Sequence, residues 1–195
     1  MTVELIIAIL LAGILSHNYA LTDFLGTGAV IENHRSKRKS LIIGLGTTLV
    51  MVLATLITFP LNELLANAEV EFLQPLVFVI VVLVVVELVH LLSKNRLEGY
   101  CKVDFLKFAI NGAVLGLCIH NTEVKHNLAV LAGADFTLLS SLVASFAVGL
   151  GLTLTMIVFS SLLAKIDEDS VPESFRGLPI ALLIAGMMAL VVLAF

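Results

Sequence analysis

Six long apolar segments divide this sequence, and they constrain its fold more than any other feature. Residues 73–93, for example, carry only two ionisable side chains, Glu87 and His90. About 20 apolar residues in a row are enough for a helix to cross the hydrocarbon core of a bilayer. The segments lie at 3–22, 40–60, 73–93, 104–120, 137–165 and 177–195. They predict an all-α integral membrane protein with six transmembrane helices.

The amino-acid composition also indicates an integral membrane protein. Hydrophobic residues make up 59% of the 195 residues and charged residues 13%, whereas a soluble domain is about half apolar and about one-quarter charged. Cys101 and Cys118 are the only cysteines, and their spacing indicates neither a disulfide framework nor a zinc site. The sequence contains no nucleotide-binding loop, no Ser/His/Asp set and no patch suited to nucleic acid.

The charges of the connecting loops predict the orientation in the membrane. Lys and Arg number 4, 0, 4, 1 and 2 along the five loops. Cytoplasmic loops carry an excess of these residues. We therefore expect the basic loops 29–39 and 93–107 to be cytoplasmic, and the N- and C-termini to lie outside.

Two of the apolar segments repeat each other. GLGTTLVM at 44–51 matches GLGLTLTM at 149–156, with six identities in eight residues at an offset of 105. A weaker match relates NYAL at 18–21 to NGAV at 111–114. The match predicts a single membrane domain with two halves, 1–93 and 104–195. Because three helices are an odd number, the second half must enter the membrane from the opposite side, which makes this a 3+3 inverted repeat. Chance similarity between Gly- and Leu-rich helices is the alternative.

Polar residues and glycines interrupt the first helix of each half. Inverted-repeat membrane proteins place binding sites near the midplane, at such interrupted helices. We therefore expect a midplane gap, whose candidate residues are Asn18, Gly26, Gly28, Asn111, Gly112 and Cys118. The competing interpretation is that the glycines permit close helix packing and the Asn side chains tie helices together without any ligand. A lone thiol such as that of Cys118 commonly acts as a small hydrophobe.

The candidate ionisable residues within the membrane are Glu87 and His90, and also Asp23 if the first span runs as far as Gly28. Ionisable groups inside a bilayer are costly and are functional candidates for that reason. Glu87 and His90 are three residues apart and so share a helix face. They could relay protons, or they could anchor the cytoplasmic end of the third helix in interfacial water. Both interpretations stay open at this point.

Several motifs together resemble the membrane subunits of the Rnf and Nqr respiratory complexes, most closely the A-type subunit of Rnf. They are NYALTDFLG at 18–26, the helix GLGTTLVMVLATL, FLQPLVFVIVVLVVV at 72–86, NGAVLG at 111–116 and VPESFRGLPIALLIAGMMAL at 171–190. The resemblance covers nearly the whole chain. It implies a six-helix inverted repeat in the cytoplasmic membrane of a prokaryote, paired with a homologous subunit of opposite topology.

The resemblance also implies a [2Fe–2S] cluster shared by the pair, with one cysteine from each interrupted helix. In this chain the two matching positions are Gly28 and Gly112. Glycine has no side chain that could bind iron, and Fe–S clusters are held by cysteine thiolates. Cys118 lies nearly two helical turns past Gly112. We therefore expect no cofactor in this chain alone.

These observations favour a non-catalytic membrane subunit of an Rnf/Nqr-like, ion-translocating electron-transport complex. Its expected partners are the lipid bilayer, a homologous membrane subunit of opposite topology or a second copy of itself, and subunits that carry flavin and iron–sulfur centres. One alternative is a transporter or ion pathway through the midplane gap. Another is a purely structural membrane partner.

Overall fold

The computed structural model describes residues 2–16, 18–19, 21–23, 25–26, 37–97, 112–123, 125–167 and 171–192. Within these ranges the chain is helical and contains no strand, which confirms the all-α prediction. The α-helices are α1 (Val3–Leu11), α2 (Lys37–Asn67), α3 (Gln74–Leu97), α4 (Gly112–Thr122), α5 (Leu128–Leu131), α6 (Leu138–Leu163) and α7 (Leu178–Val192).

The helices fall into two length classes. Three described helical stretches, 37–67, 71–91 and 138–163, are long and apolar enough to cross a membrane. At 1.5 Å per residue, the first helix, with its wider π-helical continuation over Ala12–Ser16, reaches about 21 Å. It is shorter than the hydrocarbon core of about 30 Å. The described part of α4 covers about 16 Å. The first apolar segment was expected to run from residue 3 to 22, but its helix ends at Ser16.

The two longest helices, α2 and α6, form the centre of the fold. They meet where small residues allow close approach: a Cβ added to Gly44 would lie 2.6 Å from Thr153 Oγ1, and one added to Gly149 would lie 2.5 Å from Thr48 Cγ2. The Oγ1 atoms of Thr48 and Thr153 are 3.3 Å apart. Later residues of α2 contact earlier residues of α6, so the two helices run antiparallel.

The shorter helices surround this pair in a reciprocal pattern. Helix α1 and its π-helical turn pack on α6, whereas α4 packs on α2. Each short helix thus contacts the long helix from the other end of the sequence. Helix α3 packs on α2, and α7 packs on α6. The interior is filled mainly by Val, Leu, Ile, Ala and Phe, while many exposed side chains of the long helices are Leu and Val, as expected for a surface in contact with lipid.

Candidate functional site

The first helix is broken after Ser16, and the Asn18 side chain connects this break to α6. The Asn18 side chain is 2% exposed. Its Nδ2 lies 2.7 Å from Thr155 Oγ1 and 3.2 Å from the Gly151 carbonyl, both on α6, and 3.3 Å from the Ile14 carbonyl. Non-helical backbone at membrane depth needs partners within the protein. Asn18 therefore ties the broken first helix to α6.

The segment after Asn18 folds into a compact turn. The backbone N–H groups of Leu21 and Thr22 donate to the Asn18 carbonyl, and the N–H of Leu25 donates to the Tyr19 carbonyl. Gly26 follows with φ of 78°, a left-handed conformation that favours glycine. The turn thus satisfies part of its own backbone hydrogen bonding.

Leu25 packs this turn against α4. A Cβ added to Gly116 would lie 2.6 Å from Leu25 Cδ1, and a Cβ added to Gly112 would lie 3.7 Å from Leu25 Cδ2. Gly116 therefore allows a close approach between the turn and the helix. The structure brings together two of the predicted regions, the break after α1 and the start of α4. Gly28 and Asn111 lie outside the described residues.

Of the two positions that the resemblance assigns to a [2Fe–2S] cluster, only Gly112 lies among the described residues. Gly112 is exposed at the first residue of α4 and offers no donor atom. Cys118 is fully buried within the helix bundle. Among the described residues, no group of three or more His, Cys, Asp or Glu side chains could hold a metal ion. No thiolate set for a cluster is therefore present in the part of the chain that the structure describes.

The three predicted ionisable residues lie apart from one another in the fold. Asp23 is exposed in the turn after the first break, close enough to Tyr19 to act on its hydroxyl group electrostatically. On α3, Glu87 is exposed and His90 is half-buried. Interface anchoring explains such exposure more simply than a buried relay, and the role of each residue stays a prediction.

A titratable stack joins the first break to the end of α4. The rings of Tyr19 and His120 meet edge to face with centroids 5.1 Å apart, and His120 stacks on His126 at 5.6 Å. His126 Nδ1 lies 2.6 Å from Glu123 Oε2, with both side chains about half exposed. These contacts add a second attachment between the turn and α4.

A buried polar cluster lies where α4 ends, and the sequence did not predict it as a unit. Asn121 is fully buried, and its Nδ2 lies 2.7 Å from Ser145 Oγ, 3.3 Å from Thr55 Oγ1 and 3.4 Å from the Ser141 carbonyl. Thr55 Oγ1 and Ser145 Oγ are themselves 2.7 Å apart. Asn127 completes the cluster, donating from Nδ2 to the Asn121 carbonyl at 2.9 Å and to Ser141 Oγ at 2.8 Å.

The clue to this cluster was the spacing of its serines. Ser141 and Ser145 are four residues apart and so lie on one face of α6, but only the fold reveals that Thr55 and Asn121 face them. Asn127 also caps α5, because its Oδ1 accepts from the Ala129 N–H at 2.9 Å.

Sequence comparisons agree with the membrane architecture. A family model described as "Rnf-Nqr subunit, membrane protein" matches residues 6–195. The chain is 28% identical to the A-type subunit of the ion-translocating oxidoreductase complex of Glaesserella parasuis, over 97% of this chain and 95% of the relative. It is 30% identical to the corresponding protein of Pseudomonas paraeruginosa, over 96% and 94%. It is 26% identical to the A-type subunit of the Na(+)-translocating ferredoxin:NAD(+) oxidoreductase complex of Acetobacterium woodii, over 97% and 96%.

Proposed function

Because this chain belongs to the Rnf-Nqr subunit family of membrane proteins, we propose that it serves as an integral membrane subunit of an ion-translocating electron-transport complex. The observation that carries the proposal is the match to A-type subunits across nearly the full length of both chains. Because the alignments take in 95% and 94% of these two relatives, no large segment of theirs lacks a counterpart here. Its role in the complex is that of a non-catalytic membrane partner.

The proposed architecture is six membrane spans arranged as a 3+3 inverted repeat of residues 1–93 and 104–195. The contacts between α2 and α6 support it. An offset of 105 converts Gly44 into Gly149 and Thr48 into Thr153, and the contact of Gly44 with Thr153 is matched by that of Gly149 with Thr48. An antiparallel pair of equivalent helices with exchanged contacts is what a two-fold axis in the membrane plane would produce.

Helix α1 packs on α6 and α4 packs on α2, so each lies against the long helix of the other half. This arrangement supports the same axis. The break after α1 is what an interrupted first helix would show. The proposed orientation places both termini outside and loops 29–39 and 93–107 in the cytoplasm. A phosphatase reporter fused after Phe195 should be active outside, and one fused within loop 93–107 should be inactive; the reverse pattern would reject this orientation.

We assign no iron–sulfur cluster to this chain alone. Support comes from Gly112, which is exposed and has no donor atom, and from Cys118, which is fully buried six residues further along α4. Purified protein should contain iron far below one atom per chain and should lack visible iron–sulfur absorption. Stoichiometric iron in the chain or its homo-oligomer would overturn this assignment.

The decisive experiment for the proposed function is affinity purification from native membranes under mild detergent. We expect a homologous membrane protein and subunits bearing flavin or iron–sulfur centres to co-purify. If the chain is recovered only with itself, membership of an electron-transport complex is rejected. Growth in conditions that require respiration adds a functional measurement on the same strain.

Two glycine variants sharpen that experiment. The family resemblance places position 112 at the contact between paired subunits, so Gly112→Leu should reduce recovery of the partner severalfold. Gly186→Leu on α7 is the matched control, because a Cβ there meets no atom within 4 Å. Equal recovery with both variants would argue against a pair contact at Gly112. Disulfide formation between two Gly112→Cys chains would identify the partner as a second copy.

A further inference from the structure

An apolar groove lies between the first break, α6 and α7. Its volume is about 320 Å³, and the side chains that line it include Leu15, Leu21, Leu154, Val158, Leu162 and Val191. Leu15, Leu154 and Val191 are 52%, 50% and 63% exposed, so the groove is open at the surface of the protein. Because α6 is long and apolar enough to span a membrane, this surface faces hydrocarbon.

The packing of the two halves explains why the groove is open. Helix α3 packs on both α2 and α4, whereas α7 packs on α6 without closing onto α1. In water the hydrophobic effect would draw α7 towards α1, but in a bilayer this force is missing because lipid tails are as apolar as Leu. An empty groove would forfeit the packing contacts of its walls. A hydrocarbon chain from the surroundings therefore fills it.

The polar side chains of the groove do not call for a polar ligand. Asn18 Nδ2 lies 2.7 Å from Thr155 Oγ1, and both side chains are only 2% exposed. Apolar cavities stay dry, so water does not occupy the groove. A single turn of a helix, about 10 Å wide and about 5.4 Å long, already occupies about 420 Å³. The groove thus admits a slender apolar chain and not a partner helix.

A basic side chain follows the groove at the end of α6. Lys165 lies three residues beyond Leu162 and so on the same side of the helix. It is exposed, and its ammonium group has no ion-pair partner in the part of the chain that the structure describes. Basic residues at a membrane edge attract lipid phosphate groups. Asp167 is also exposed nearby, so charges of both signs lie here, which suits a zwitterionic head group.

The length of the groove matches one leaflet of a bilayer. From Lys165 back to Leu154, α6 rises by about 16 Å. One leaflet contributes half of the hydrocarbon core of about 30 Å. A lipid with its phosphate group at Lys165 therefore has an acyl chain of the right length to reach Leu154.

We propose that this groove binds one acyl chain of a membrane phospholipid, whose phosphate group contacts the Lys165 ammonium group. Leu15 and Leu21 lie on either side of the break, so the bound chain packs against the break as well as against α6 and α7. The lipid thereby takes the place of a helix contact that α3 and α4 make directly in the other half. This inference needs only the location of the chain in a membrane, and not its role in electron transport.

The test is photolabelling in phosphatidylcholine vesicles, on the full chain alone and with the partners that co-purify. A small fraction of the lipid is phosphatidylethanolamine with a diazirine in one acyl chain, and mass spectrometry locates the adducts. We expect at least threefold more adducts on residues 154–162 than on residues 76–84 of α3, a stretch of equal length. Random contact with lipid would favour α3, because Leu76 and Val84 are each 62% exposed.

Substitutions that fill the groove should remove the label. Val158→Phe should lower the adducts on residues 188–192 severalfold, and Val191→Phe should do the same for residues 154–162. Val84→Phe on α3 is the matched control, because Val84 is exposed but is not among the residues that line the groove; it should leave both stretches labelled.

A second probe tests the head group. Diacylglycerol with the same diazirine chain lacks the phosphate group, so it should label the groove about fivefold less than the phosphatidylethanolamine probe. Lys165→Gln should abolish this difference. Lys125→Gln is the control, since Lys125 is exposed between α4 and α5 and does not line the groove.

The proposal is wrong if residues 154–162 and 76–84 are labelled equally, or if neither Val158→Phe nor Val191→Phe changes the label. Equal labelling of the unsubstituted chain by the two probes would reject the phospholipid, and label that disappears when partners are present would assign the groove to a partner subunit. A groove that is labelled in a chain recovered without any partner supports the lipid site and rejects only the proposed function.

Discussion

Replacing Gly44 with Ala should destabilise the protein by forcing α2 and α6 apart. The added Cβ would lie 2.6 Å from Thr153 Oγ1 and 2.8 Å from Thr153 Cα, whereas ordinary contact begins near 3.4 Å. Because Thr153 Cα belongs to the backbone, a rotamer change cannot relieve the clash, and the helices must separate by most of an ångström. Overpacking of this kind costs about 1–3 kcal/mol, and the better helix propensity of Ala returns about 1 kcal/mol.

The net loss is therefore up to about 2 kcal/mol, or up to about 4–8 °C in the unfolding midpoint for a chain of this size. Gly149→Ala should show a similar loss, since its Cβ would lie 2.5 Å from Thr48 Cγ2. The double variant should lose less than the sum of the two, because one separation of the helices relieves both clashes. Gly186→Ala is the control and should not destabilise, because its Cβ enters open space.

Cys118 provides the assay. Its side chain is fully buried, so a thiol-reactive fluorogenic dye should label it only when the chain unfolds. The measurement uses a Cys101→Ser background, which leaves Cys118 as the single thiol. If Gly44→Ala and Gly186→Ala shift the midpoint equally, close packing at the α2–α6 crossing is refuted. If Gly44→Ala is destabilising and Gly149→Ala is not, the two contacts are not equivalent and do not support an inverted repeat.

Three further changes test other contacts by the same dye assay. Gly116→Ala should cost less than Gly44→Ala, because its Cβ would lie 2.6 Å from Leu25 Cδ1, the far end of a side chain that can rotate away, and adding Leu25→Ala should recover part of any loss; a larger loss than that of Gly44→Ala would contradict this contact. Gly26→Ala should cost about 1 kcal/mol, since Gly26 has a φ of 78°, and an unchanged midpoint would mean that the turn adjusts freely. Asn127→Ala should cost about 2 kcal/mol or more, because it removes the α5 cap and leaves Ser141 and Asn121 with lost partners; a loss below about 0.5 kcal/mol would contradict its bridging role.

The sequence predicted the helical class, the family and the interruption of the first helix. These features depend on local chain chemistry, since apolar length sets a span and polar residues mark a break. The end of the first helix was placed too late because hydropathy counts side chains and not backbone hydrogen bonds. Leu21 is apolar and continues the hydrophobic segment, yet its N–H donates within a turn to the Asn18 carbonyl.

The partners of the short helices could not be predicted. In a soluble protein the apolar face of a helix identifies the side that packs, but in a bilayer both the packed face and the lipid face are apolar. The hydrophobic pattern therefore does not predict that α1 contacts α6 or that α4 contacts α2. The Asn121 cluster could not be predicted for the same reason. Its Ser and Thr residues are separated in the sequence and come together only when the helices pack.

The contacts around the first break hold both of its ends without any metal-binding side chain. Asn18 fixes the start of the break to α6 through Gly151 and Thr155, and Leu25 fixes its end to Gly116 on α4. Both attachments use side-chain packing or hydrogen bonds, and neither requires a metal. Neither attachment depends on a donor side chain at position 112, because Asn18 bonds to α6 and Leu25 packs at Gly116.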